Sequence, residues 1–230
     1  GATSVIARAI GGGDRTQVRR LTTDSFTLSL SVVAVVGTIG YLSMVPIFEA
    51  LGATEETLPS ILDYMSIWFF GMICIVVPMV GNSAIRATGD AKTPAVIMIT
   101  AALMNIALDP IFIFGWGPVP AMGIEGAAIA TVISRSMTLL LSLYVVTFRE
   151  GLIAWSIPKV KAVFESWKAI LEVGLPAAAT NLVVPFTAAI LTRFVAEYGE
   201  EAIAAFGAGT RIEAVAGIAA MAVGSAVGPV

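Results

Sequence analysis

The chain has 230 residues, of which 57% are hydrophobic and 13% charged, with a mean hydropathy of +0.92 and a formal net charge of −3. Soluble domains carry about 25% charged residues, so this composition excludes an ordinary soluble fold and indicates helices in a bilayer, where a helix satisfies its own backbone. The apolar runs are too long for the alternating segments of a β-barrel, the lack of histidine excludes histidine-based catalysis and zinc chemistry in this chain, and the basic residues lie in short loops rather than on one nucleic-acid-binding face.

Five apolar runs in the sequence predict five complete membrane-spanning helices. The end of an earlier helix, residues 1–10, precedes them, and a further helix begins near Glu201. The predicted spans are residues 25–48, 64–86, 92–114, 123–148 and 175–195. Because the chain begins without a methionine and ends at Pro229 and Val230 inside an apolar run, we interpret it as a piece of a longer protein.

The longest connection between predicted spans, residues 149–172, is amphipathic. Its lysines are Lys159, Lys161 and Lys168, and the apolar residues that share one helical face are Val160, Val163, Phe164 and Trp167. A helix with an apolar face and a basic face lies in the membrane interface. We therefore expect a separate surface helix in this connection.

The distribution of basic residues among the short loops predicts the orientation of the spans. Arginine and lysine occur in residues 15–20, in the turn 86–92 and in the connection 149–172, whereas the loops 49–63 and 115–122 have none. Short loops that carry arginine and lysine face the cytoplasm. The first three segments are therefore predicted to be cytoplasmic and the last two extracellular.

The third span, residues 92–114, has two polar residues within its apolar run, Asn105 and Asp109. They are four residues apart and share one face of a helix, and Pro110 removes the backbone N–H that would bond the carbonyl of Ile106. An acid within a span costs roughly 2.5 kcal/mol or more and is usually functional, and these oxygens suit a hard cation or a shuttled proton. The alternative is that Asn105 makes an interhelical hydrogen bond and Asp109 reaches the outer interface.

Several stretches, in this order, resemble the multidrug and toxic compound extrusion (MATE) family. They are ARAIGGGD at 7–14, RATGDAKTP at 86–94, NIALDPIFIFG at 105–115, GIEGAAIATVIS at 123–134, GLP at 174–176 and AFGAGTRIE at 205–213. Together they extend over nearly the whole chain, and their order and spacing carry the resemblance.

The resemblance implies an all-α polytopic membrane protein with two six-helix lobes in the full protein, of which this chain holds mostly first-lobe helices. Residues 1–148 would be first-lobe transmembrane helices, from the end of helix two to helix six. Residues 149–172 would be a cytoplasmic interlobe linker with an amphipathic helix, and residues 173–230 would begin the second lobe with helices seven and eight. The first helix, with its acidic residue, would lie outside this chain.

The resemblance also implies a coupling site. Asn105 and Asp109 match the fifth-helix Asn and Asp of the cation site in the archaeal and DinF-like branch, and Thr131 matches a sixth-helix hydroxyl. These three residues would bind the coupling ion, Na⁺ or H⁺, and no other cofactor is expected. The NorM-like branch has a glutamate where this chain has Val184, which favours the first-lobe site. Arg135, near the middle of its span, either lines the substrate cavity or snorkels to the interface.

The function implied is a cation-coupled antiporter in the plasma membrane of a prokaryote. It would export amphipathic, often cationic drugs or toxic compounds, act as a monomer and bind no nucleic acid. A lipid-linked oligosaccharide flippase of the same superfamily is the nearest alternative. An intramembrane enzyme is a more distant one, since it needs a nucleophile–base pair or a second acid.

Overall fold

The computed structural model describes residues 1–155 and 160–227, with side chains as far as residue 215. Lys159, Pro229 and Val230, on which sequence predictions fell, lie outside the described residues. The helices of the described part are α1 Ala2–Gly11, α2 Arg15–Leu42, α3 Met44–Ala50, α4 Leu58–Gly71, α5 Ile73–Ala87, α6 Lys92–Phe114, α7 Gly123–Tyr144, α8 Val160–Ala196 and α9 Glu200–Val227. A π-helical turn, Val145–Arg149, extends α7.

The predicted number of spans agrees with the structure. Four helical segments are long and apolar enough to cross a membrane, and α4 with α5 forms a fifth span that bends by 41°. The third span, α6, has the predicted bounds, Lys92–Phe114. The predicted all-α polytopic class is therefore confirmed in the described part of the chain.

The helix that contains the first span begins at Arg15, ten residues before the predicted span. Asp14 caps α2 by accepting bonds from the backbone N–H groups of Thr16 and Gln17, both at 3.0 Å. A capped start of this kind satisfies donors that a helix otherwise leaves unpaired. The apolar run from residue 25 therefore marks only part of the helix, whose first turns are polar yet packed, with Val18 and Asp24 buried.

The second span bends at Met72, between α4 and α5, and not at Pro78, which lies inside α5. At the bend, a Cβ on Gly71 would collide with the side chain of Val132 on α7. The missing side chain lets the two helices approach closely. The bend therefore coincides with a tight helix crossing.

The predicted separate surface helix is wrong: α8 is one helix of 37 residues that includes both the amphipathic stretch and the fifth span. Pro176 and Pro185 lie within it, and a proline can be kept inside a membrane helix when neighbouring groups satisfy the freed backbone. At 1.5 Å per residue such a helix is roughly 55 Å long, well beyond a hydrocarbon core of about 30 Å. Its first turns can therefore stand outside the membrane without a break in the helix, and the proposed lobe boundary after residue 172 falls in mid-helix.

The core lies where α1, α2, α5 and α7 pack together near the end of the bundle that carries the basic loops. Ile6, Ile85 and Val146 are fully buried there. A Cβ on Gly81 would overlap the hydroxyl of Ser142, so the crossing of α5 and α7 depends on this glycine. The core thus fixes the helices whose loops form the basic end.

The three segments predicted to be cytoplasmic meet at one end of the bundle. Arg19 donates from Nε to the carbonyl oxygen of Gly151 at 2.8 Å. Arg149 donates to Asp90 Oδ2 at 2.9 Å and to the Thr93 hydroxyl at 2.6 Å. Bonds from Thr93, through its hydroxyl and its backbone N–H, together with the Arg149 guanidinium, hold the pKa of Asp90 below its ordinary value of 3.8.

We expect Asp90→Ala to lower the thermal unfolding temperature of the full-length protein more than Asp14→Ala. Both carboxylates accept two backbone N–H bonds beside a helix start, but only Asp90 also bonds the distant Arg149. Because the folded pKa of Asp90 is lowered, its contribution is complete above about pH 4 and is lost as the pH falls through the folded pKa. The gap between wild type and variant should therefore stay constant from about pH 5 to 8 and shrink below about pH 4 in thermal scans in detergent. Equal losses in the two variants would show that the bonds from Arg149 and from the Thr93 hydroxyl add nothing.

Candidate functional site

The predicted site residues Asn105 and Asp109 form a bonded pair on α6. The Asn105 amide donates from Nδ2 to Asp109 Oδ1 at 3.1 Å, and both residues are half-buried. Ile97 and Ala101 on the same helix are buried, and Asn105 follows at the next four-residue step. The pair therefore continues the face of α6 that packs against the bundle, whereas Ile106 beside it is 68% exposed.

The end of α6 is held against the start of α7. The backbone N–H of Met122 donates to the carbonyl oxygen of Phe112 at 3.0 Å, which closes the loop after Gly115. A Cβ on Gly126 would collide with that same carbonyl. The absence of a side chain at Gly126 thus brings α7 into direct contact with α6 one turn beyond Asp109.

Thr131 and Arg135 lie four residues apart and share one face of α7. The Thr131 hydroxyl donates to the carbonyl oxygen of Ala127 at 2.9 Å, and Arg135 is exposed. Among the hydrogen bonds of the described residues, none joins either side chain to Asp109. The role of Thr131 as an ion ligand and that of Arg135 in a cavity remain predictions.

The pair leaves two oxygens free for a ligand. Asn105 donates to one oxygen of Asp109, so the other carboxylate oxygen and the amide oxygen can still accept a proton or contact a cation. Within the described residues no three acidic, cysteine or histidine side chains form a cluster. A hard cation prefers a larger oxygen shell, so the pair can supply part of a cation site and can by itself carry one proton.

The sequence analysis missed a buried acid, Asp24, on α2. It is 1% exposed, and its Oδ2 lies 3.7 Å from Nε of Arg20. The indole Nε1 of Trp167 on α8 donates to the backbone carbonyl oxygen of Asp24 at 3.0 Å. The four-residue spacing of Arg20 and Asp24 is a signal that the sequence offered, but the predicted start of the span at residue 25 placed both residues outside it.

Several apolar helices, a bent span and a half-buried acid–amide pair define a polytopic helical membrane protein with an ionisable site inside one span. The chain belongs to the MatE family, the multidrug and toxic compound extrusion transporters, whose family model matches residues 1–111 and 176–230. The predicted family is thus confirmed.

Two relatives with assigned names illustrate the range of the family. The chain is 38% identical to the FAD transporter of Shewanella oneidensis, over 100% of this chain and 51% of that protein. It is 32% identical to the probable multidrug resistance protein NorM of Thermotoga maritima, over 93% of this chain and 46% of that protein. The chain therefore spans about half the length of the curated relatives that it matches.

Solved structures of MATE transporters have the same fold. The inward-facing conformation of a multidrug resistance MATE family transporter of the MOP superfamily superposes with a TM-score of 0.80 at 28% identity, covering 94% of this chain and 49% of that one. An outward-facing conformation superposes with a TM-score of 0.73 at 27% identity, covering 93% and 47%. At similar coverage and identity, the inward-facing structure is thus the more similar of these two.

Proposed function

We propose that the protein containing this chain is a cation-coupled exporter in which Asp109 and Asn105 bind the coupling ion, Na⁺ or H⁺. The observation that carries the proposal is the hydrogen bond between these two side chains, half-buried in α6, the most apolar of the four unbroken helices that are long enough to span a membrane. An ionisable side chain within a span raises the free energy of the folded protein, so such a residue is usually kept for a function. Family membership supports transport as that function.

The coupling would follow from a difference in ion affinity between two conformations. An ion bound at Asp109 can drive a change of state only if it binds one conformation more tightly, and the exported compound must favour the other. The greater similarity to an inward-facing structure supports the proposal that this conformation is the inward-facing one. In that state the exported compound would enter from the cytoplasm.

The exported compounds are proposed to be drugs or toxic compounds, amphipathic and often cationic; three relatives are named as multidrug resistance or multidrug export proteins. A second candidate cargo is a flavin dinucleotide, because the relative named FAD transporter matches the whole chain at 38% identity. Arg135 on α7 and Arg211 on α9 are exposed, and a cargo with two phosphates would suit such guanidinium groups. The proposal also includes a prokaryotic plasma membrane location and a monomeric state.

The test is transport by the full-length protein in liposomes with independently imposed Na⁺ and pH gradients. One set of vesicles carries a cationic dye and a second set carries FAD. We expect uptake or release of one cargo to depend on one of the two ion gradients. Movement of both cargoes at the rate of protein-free liposomes under every gradient would overturn the proposal, and FAD movement alone would select the second cargo.

A further inference from the structure

The linker helix α8 contacts the first part of the chain near both of its ends. One contact involves Ala162 and Trp167, and the other lies at Ala196, where the helix ends before Glu200 of α9. Residues 167 and 196 are roughly 45 Å apart along a helix that rises 1.5 Å per residue. Two contacts so far apart cannot both stay closed if α8 tilts relative to the first helices.

The contact at the basic end is polar and partly buried; we call Arg20, Asp24, Ala162 and Trp167 the inner clamp. Arg20 donates from Nη2 to the carbonyl oxygen of Ala162. Trp167 donates to the carbonyl oxygen of Asp24 at 3.0 Å and contacts the Thr27 hydroxyl at 3.3 Å. The Asp24 carboxylate faces the Arg20 guanidinium and is shielded from water.

The contact at the opposite end is largely exposed; we call Gly52, Thr54, Ala196 and Glu200 the outer latch. The Thr54 hydroxyl donates to Glu200 Oε1 at 2.9 Å on an exposed surface. A Cβ on Gly52, where φ is +98°, would lie 2.7 Å from the Ala196 Cβ. Beside these residues is a largely apolar cavity of about 370 Å³, whose lining includes Phe48, Leu51, Ile61, Thr192, Ile203 and Ala204.

We propose that the inner clamp is the fixed pivot of the transport cycle and that the outer latch is the contact that opens. Opening the clamp would break three hydrogen bonds between α2 and α8, from Arg20 to Ala162 and from Trp167 to Asp24 and Thr27, two of which are partly buried. Opening the latch exchanges one exposed hydrogen bond for bonds to water and widens an existing cavity. In this arrangement Asp24 is a positioning residue, because its carboxylate lies 3.7 Å from the guanidinium that bonds α8.

The inference rests on the proposed transport function, so its test needs a readout that does not depend on transport. Two cysteine pairs are placed in full-length protein from which Cys74 and any other cysteines have been removed. Thr54→Cys with Glu200→Cys reports the latch. Gln17→Cys with Glu165→Cys reports the clamp, since both residues line a groove of about 430 Å³ beside Arg20 without belonging to the clamp.

Each pair is first spin-labelled in liposomes, and its distance distribution is measured under the two ion gradients. The clamp pair should give one narrow distance throughout, and the latch pair should give two whose populations shift with the ion. Two distances at the clamp, or one unchanging distance at the latch, would overturn the inference even in a protein that transports nothing. A protein without transport but with these distances would instead point to a failure of the proposed function.

Each pair is then joined by a short bifunctional maleimide, and transport is compared with that of the same unjoined variant. Joining the latch pair should abolish transport, because the proposed cycle requires this contact to open. Joining the clamp pair should leave the transport rate within about twofold, because this contact stays closed throughout the cycle. The reverse pattern, or loss of transport from both joined pairs, would contradict a fixed inner pivot.

Discussion

Asp109→Asn is expected to abolish coupled export while leaving the protein folded and in the membrane. Asparagine keeps the shape of the side chain and can still bond Asn105, but it carries no charge and cannot exchange a proton. The ion then loses its preference for one conformation, and coupling energies of 1–3 kcal/mol imply a fall in coupled rate of up to roughly 100-fold. The measurement is dye efflux from energised cells, followed by counterflow in liposomes.

Leu108→Asn is the matched control, because it adds the same amide one position away on α6, where the native side chain is also half-buried. Membrane abundance of both variants is measured by blotting, so that a folding defect is separated from a coupling defect. We expect Leu108→Asn to retain most of the wild-type efflux. If Asp109→Asn exports at the wild-type rate at equal abundance, α6 serves for packing and the ion site lies elsewhere.

The sequence was sufficient for those features that depend on local chemistry. The bounds of α6 could be predicted from the residues that flank its apolar run. Asp90 accepts bonds from the backbone N–H groups of Lys92 and Thr93 at one end, and Gly115, with a φ of +78°, ends the helix at the other. The Asn105–Asp109 contact could be expected because a four-residue spacing brings two side chains together on any helix. Neither inference needed the rest of the fold.

Features that depend on contacts between distant residues could not be predicted in this way. The sequence of α8 contains Gly174 and Pro176 and changes from amphipathic to apolar at the same point, so a break was the natural expectation there. The structure has one continuous helix instead, whose first turns pack on α2 through Trp167. The same contact buries Asp24, which looked like a loop residue because Arg20 and other polar residues surround it in the sequence.

The ligand shell around Asp109 is the other feature that the sequence cannot complete. Asn105 lies on the same helix as Asp109, so its position follows from the sequence spacing. Whether a hydroxyl of α7 reaches Asp109 depends on how α7 is rotated against α6. The Thr131 hydroxyl bonds its own helix at Ala127 in this conformation. A side chain of this kind can change its partner when a helix moves, and only the ion dependence of transport tests whether it does.

Asn105→Ala should weaken the apparent affinity for the coupling ion by about tenfold while leaving a high maximal rate. The amide bonds Asp109 Oδ1 at 3.1 Å and so fixes the direction of the carboxylate. A hydrogen bond to a charged group contributes about 1.5 kcal/mol or more, which corresponds to about a tenfold change in affinity. The expected effect is smaller than that of Asp109→Asn because the carboxylate is still present.

The coupling ion is identified by which midpoint shifts in Asn105→Ala, the Na⁺ midpoint or the pH midpoint of the transport rate. Rates are measured in liposomes against Na⁺ concentration at fixed pH, and against pH at fixed Na⁺. If Na⁺ is the coupling ion, the Na⁺ midpoint should rise, because loss of an oxygen ligand leaves the ion under-coordinated; if a proton is the ion, only the pH midpoint should move. Asn181→Ala, which removes an exposed amide bonded to Ala177 of its own helix, should move neither midpoint. Unchanged midpoints in Asn105→Ala would mean that the amide does not orient the acid, and Asp109 would then act alone.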